Sequence, residues 1–84
     1  MRIEDQVRDL IEDIIVKNDY KLDDVLYTKE GNMYNLAVVI DKEGYIDVED
    51  CVKVSNLINP ILDKANLIED SYVLDVCSRE KGGE

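Results

Sequence analysis

Apolar side chains recur at every second position from Tyr34 through Leu36 and Val38 to Ile40. A period of two is what a half-buried strand needs to send one set of side chains into a core. The pattern predicts a strand over Met33–Asp41, a turn at Lys42-Glu43-Gly44, and a helix beginning at Asp47. In that helix Cys51, Val54, Ile58, Ile61 and Leu62 repeat at helical steps. The Asp47 carboxylate can accept from the backbone N–H of Glu49 or Asp50, and Asp50 can reciprocate in a capping box. Ile46 before the cap and Cys51 after it have the spacing of a hydrophobic staple. Pro60 lies inside the run and cannot donate to the carbonyl of Asn56. Since Ile61 and Leu62 continue the same apolar face, a kinked helix is expected rather than two separate ones.

The rest of the chain supplies what this unit packs against. Ile3, Val7, Leu10, Ile11, Ile14 and Ile15 recur at three- and four-residue steps, which predicts a helix over residues 2–17. Acidic residues open it and Lys17 closes it, in keeping with the helix dipole, and Asn18 is expected to take the left-handed conformation that ends it. Tyr20–Lys29 reads as a strand interrupted by Asp23-Asp24, where a bulge would let Leu22 and Val25 both point inward. Glu30-Gly31-Asn32 then closes a hairpin, with positive φ at Gly31 or Asn32. Residues 66–70 form a connector that tucks Leu67 or Ile68 under the sheet. Ser71–Ser78 is a third strand, in which Tyr72, Leu74 and Val76 alternate with Val73, Asp75 and Cys77. The order α-β-β-α-β predicts an α+β fold: a two-layer sandwich with two helices on one face of a three-stranded mixed sheet. The crossover into the third strand should be right-handed if the second and third strands are parallel, while the place of that strand in the sheet stays open. Residues 1–78 are expected to form the domain. Residues 79–84 contain no apolar side chain and are expected to be a flexible polar tail.

Composition sets the scale. A chain of 84 residues makes one domain at most, and it buries roughly 60–65% of its unfolded surface. Phe and Trp are absent, so Ile, Val and Leu fill the core with Tyr at its margins. Twenty acidic residues against ten basic ones give a net charge of −10. An acidic surface repels phosphate backbones and anionic lipid, so DNA and membrane are not expected as partners; steering favours a basic protein, with acidity that only maintains solubility as the equal alternative. No apolar run approaches the roughly 20 residues of a membrane span, and the charged start of the chain does not look like a secretory signal.

Candidate chemistry is sparse. The chain has no His, and Cys51 and Cys77 show no Cys-x-x-Cys spacing, so neither a metal nor a cofactor is expected. Two reduced, core-facing thiols in a cytoplasmic protein are the favoured reading. No Ser or Cys has a recognisable base beside it. The acidic pairs Asp23-Asp24, Glu49-Asp50 and Glu69-Asp70 are adjacent in sequence, so they diverge on a strand or helix and read as solvated surface. An EF-hand counted from Asp41 would need Gly at its sixth position and Glu at its twelfth, where Ile46 and Val52 stand. Gly44 belongs to a turn, not to a phosphate-binding loop.

An ordered set of segments nevertheless resembles a known family. Asp24-Val25-Leu26-Tyr27 precedes a turn at Lys29-Glu30-Gly31, and Leu36-Ala37-Val38-Val39-Ile40-Asp41-Lys42-Glu43-Gly44 follows it. Next come Ile46-Asp47-Val48-Glu49-Asp50-Cys51-Val52-Lys53-Val54-Ser55 and Tyr72-Val73-Leu74-Asp75-Val76-Cys77-Ser78. Together they are similar to the N-terminal domain of the bacterial ribosome maturation factor RimP. The resemblance implies a cytoplasmic, non-enzymatic assembly factor that binds a basic small-subunit ribosomal protein and the maturing small subunit. In that family the third strand usually runs into a Ser-Ser-Pro-Gly-Leu-Asp-Arg-like linker and a small β-barrel. Here Cys77 and Ser78 stand at the two serines, and Arg79 and Glu80 replace Pro and Gly. The chain is therefore either a truncated or single-domain relative, or a fragment. The expected docking residues are the acidic groups around the second helix's start, Asp41, Asp47, Glu49 and Asp50, together with Asp75; a monomer is favoured, with the oligomeric state left open. For Asp47 the role of helix cap competes with that of docking group. A K-homology-like RNA-binding module is the alternative, but it needs a Gly-x-x-Gly clamp and cations near phosphates, and Gly82-Gly83 is not such a loop.

Overall fold

In the computed structural model, which describes residues 2–78, the first apolar stripe forms helix α1 (Ile3–Lys17). Val7, Ile11 and Ile15 are fully buried, and Ile3 and Ile14 pack at the margin of the core. Leu10, although in phase with them, remains 36% exposed. The helix ends differently from expectation. Asn18 keeps φ −98°, and its side-chain amide donates to the Ile14 carbonyl at 2.7 Å. Asp19, with φ 68°, takes the left-handed conformation instead. The short polar side chain that can occupy that region sits one residue later.

Strands β1 (Lys21–Glu30) and β2 (Met33–Asp41) form an antiparallel hairpin around Gly31, whose φ is +60°. Leu22 pairs with Ile40 and Asp24 with the next residue back, Val39, so Asp23 is the extra residue of a bulge. The bulge resets the alternation, and both Leu22 and Val25 are buried, as expected.

Helix α2 (Val48–Ala65) runs continuously through Pro60. Pro60 is exposed between the buried Ile58 and Leu62, and Asn56, whose carbonyl it cannot serve, is exposed on the same side of the helix. Asp47 caps the start, with Ile46 fully buried before it and Cys51 packed on the core after it. Asn66 ends the helix in the left-handed region, with φ 50°. Leu67 and Ile68 both pack against the core.

Strand β3 (Tyr72–Ser78) pairs parallel with β2 from Tyr34↔Tyr72 to Ile40↔Ser78. The sheet order is β1-β2-β3, which places β2 in the centre and β3 on an outer edge. Leu36, Val38 and Ile40 of β2 are fully buried beneath α1 and α2. The opposite face is open and carries Leu26, Ala37, Val39, Val73 and Asp75; Leu26 and Val73 are about half exposed. Cys77 corrects one expectation. Strand alternation puts it on this open face, paired with Val39, whereas Cys51 packs on the core. Both thiols are half-buried and reduced, on different elements. The tail expected over residues 79–84 lies outside the described residues.

Val38→Ala and Ile58→Ala each remove methyl groups from fully buried sites and should cost about 1–4 kcal/mol. Val52→Ala, on the exposed side of α2, should stay within about 0.5 kcal/mol. Denaturant midpoints that ignore both core substitutions would contradict this packing.

Candidate docking surface at the start of the second helix

The first turn of α2 meets the end of α1 and the loop after β2 at a single carboxylate. Asp50 accepts from the Tyr20 hydroxyl at 2.6 Å and from Lys42 Nζ at 3.0 and 3.1 Å. It also accepts from the Asp47 backbone N–H at 3.0 Å, and the Asp47 carboxylate returns a bond from the Asp50 N–H at 3.2 Å. Tyr20 is only 5% exposed, so its hydroxyl needs a partner inside the fold. Lys42 and Lys53 each place Nζ 5.8 Å from the centre of the Tyr20 ring, on a cation–π approach. One carboxylate thereby ties the distant α1–β1 junction to the loop after β2 and the first turn of α2.

This arrangement governs protonation. The Tyr20 hydroxyl bond, the Asp47 backbone N–H and Lys42 hold Asp50 below the usual carboxylate range. The same bond to Asp50, assisted by burial, pushes the Tyr20 phenol up to about 12. Neither group exchanges a proton near neutrality, so the cluster acts as a latch and does not suit acid–base chemistry. Among the described residues, no group of three or more Asp, Glu or Cys side chains is placed to hold a metal ion.

The expected docking residues divide between two places. Asp41 ends β2, and its carboxylate accepts from the Lys42 N–H at 2.9 Å. Asp47 is the cap, and Asp50 is the latch. Glu49 is exposed in the first turn of α2, and Glu43 is exposed in the preceding loop. Asp75 lies elsewhere, exposed on the open face of the sheet. Sequence reasoning missed Tyr20 and Lys42. A signal for Tyr20 was present, because a Tyr placed at a helix-to-strand junction and buried there must find an acceptor. The Lys42 contact closes only when the loop folds back onto α2.

The arrangement of elements and this acidic corner lie within a recognised family pattern. The model of the RimP N-terminal domain matches residues 10–79, from the middle of α1 past the end of β3. The chain belongs to the RimP N-terminal domain family. That places it in a ribosome maturation family and agrees with the α+β architecture seen here. Among the described residues of this RimP domain, no helix is long and apolar enough to cross a membrane.

The latch makes stability depend on pH at both extremes. Asp50 is lowered in the fold, so its contribution is present above the ordinary carboxylate range. It is lost as pH falls through that range toward the folded value. Tyr20 is raised, so its contribution is intact below pH about 10 and is lost as pH climbs toward about 12. Tyr20→Phe should lower the denaturation midpoint less than Ile58→Ala does. It should also remove one tyrosine, the one near pH 12, from the late phenolate ionisation in an ultraviolet absorbance titration, while Tyr27 and Tyr72, which burial also raises, still ionise late. A titration unchanged by that substitution would contradict the latch.

Proposed function

We propose that this RimP-type domain serves maturation of the small ribosomal subunit in the cytoplasm, by non-catalytic binding to a basic ribosomal protein and to the maturing particle. Family membership carries the reading. The net charge of −10 supports a basic partner, since unlike charges raise encounter rates and like charges suppress wrong partners. We further propose residues 1–78 as the binding unit, with residues 79–84 leading out of it.

The proposed docking groups remain Asp41, Asp47, Glu49, Asp50 and Asp75. They contribute in different ways. Glu49 and Asp75 present exposed carboxylates, while Asp41, Asp47 and Asp50 add field from positions already engaged within the fold. A charge-reversal test is therefore cleaner at exposed positions than at the cap or the latch.

Glu43→Lys with Glu49→Lys should weaken association with purified basic small-subunit ribosomal proteins mainly by slowing encounter, because rim charges act through steering. Raising the salt should weaken the wild type in the same direction, as the Debye length contracts to ~8 Å at 0.15 M. Rate constants measured by surface plasmon resonance or stopped flow would check both. Binding indifferent to salt and to the double reversal would remove the acidic corner as the docking surface. Preference for bare RNA would replace the reading.

A further inference from the structure

The two edges of the sheet are guarded very differently. An edge strand presents a row of backbone N–H and C=O groups that can pair with another chain unless charge, proline, a bulge or a covering element prevents it. β1 uses several of these devices. Its bulge falls at Asp23, and Lys21, Asp23, Asp24, Lys29 and Glu30 place charges along it. Helix α1 covers it, with Glu4 accepting from the Tyr27 N–H at 3.2 Å and Arg8 facing Asp24 at 3.8 Å.

β3 uses fewer of them: its one charge is Asp75, and α2 packs on one face of it without closing its outer edge. It contains no Pro, Lys or Arg, its register with β2 is unbroken over seven residues, and no described element lies beyond it in the sheet. Alongside it runs a groove of about 480 Å³. Ser55, Asn59 and Asp63 of α2 form one wall, and Asp70, Tyr72 and Leu74 form the other. Among the described residues, two carboxylates and no cation line this groove, and Asp75 adds an exposed carboxylate on the opposite face of the same strand.

We propose that β3 is a docking edge for an extended, basic segment of a partner protein, which adds a fourth strand to the sheet. Main-chain hydrogen bonds supply the pairing, and alternate side chains supply selectivity. Lys or Arg on one side of the incoming strand meets Asp63 and Asp70 in the groove. Apolar residues on the other side extend the open face beside Val73, which is 50% exposed. A second copy of this chain fits less well, because it brings another net charge of −10 to an acidic edge. The inference rests on the proposed function for the basic nature of the partner, but it locates the contact away from the start of α2.

Hydrogen–deuterium exchange of the intact chain tests it, with a synthetic peptide of alternating lysine and valine, long enough to span β3, as the probe. Amides within residues 72–77 should gain protection with this peptide and not with its glutamate–valine counterpart. Asp63→Lys with Asp70→Lys, both at exposed positions, should weaken the effect about tenfold while leaving the denaturation midpoint nearly unchanged. The proposal fails if the peptide binds without protecting β3, if the acidic peptide protects it equally, or if nothing binds. It fails equally if the β3 amides that point away from β2 are already protected in the free chain, by a second copy or by the chain's own last residues. Failure here, with basic ribosomal proteins still binding at Glu43 and Glu49, would leave the proposed function standing. Peptide pairing on β3, with no ribosomal protein bound, would do the reverse.

Discussion

Leu36, Val38 and Ile40 leave no surface to water, and the other elements take their places from the need to keep it so. They occupy one face of the central strand, so a cover on that face alone suffices, and two amphipathic helices provide it. Val7, Ile11 and Ile15 come from α1, and Val54, Ile58 and Leu62 from α2. Each triplet is spaced by four residues, a row that follows one side of a helix. With no Phe or Trp available, these branched aliphatic side chains must interlock closely, and loss of a few methyl groups leaves a cavity that neighbours cannot readily fill.

At the end of this core the fold spends a carboxylate instead of an aliphatic group. Asp50 collects four donor contacts from Tyr20, Lys42 and the Asp47 backbone, so it is compensated on nearly every lone pair. Charge-assisted hydrogen bonds of this kind are stronger than neutral ones. Here they tie the junction of α1 and β1 to the β2–α2 loop. The consequence for function is a division of labour among neighbouring acids. Those that cap or latch are fixed in geometry, whereas Glu43 and Glu49 project into solvent, where the proposed docking would use them.

Much of this was legible in the residues, for reasons that lie in short-range periodicity. The two-residue alternation in β2, the bulge at Asp23-Asp24, the capping box of Asp47 and Asp50, and the passage of α2 through Pro60 all follow from local stereochemistry. Misreadings arose where two local solutions compete. Asn18 and Asp19 are both able to end a helix in the left-handed region, and the amide of Asn18 is the better donor to a carbonyl, so Asp19 takes the turn. Cys77 looked core-facing because it is apolar, yet its odd position in β3 places it with Val73 and Asp75. Long-range contacts were out of reach. Nothing near Tyr20 in sequence names Asp50, thirty residues away, as its acceptor. The edge position of β3 likewise depends on the whole sheet and not on β3 itself.

That edge position brings composition and topology together. A bare strand edge on a small, aliphatic domain is an invitation to pair, and a neutral protein with such an edge would tend to associate with itself. A net charge of −10 opposes like-with-like pairing while leaving the backbone groups of β3 accessible to a partner of opposite sign. On the proposal that β3 docks a basic strand, this charge converts an edge that would be indiscriminate into one that discriminates by charge, without any residue having to contact the wrong partner. Specificity built on repulsion tolerates substitution of single acidic residues, since the field is a sum over many. Discrimination by one close contact would not.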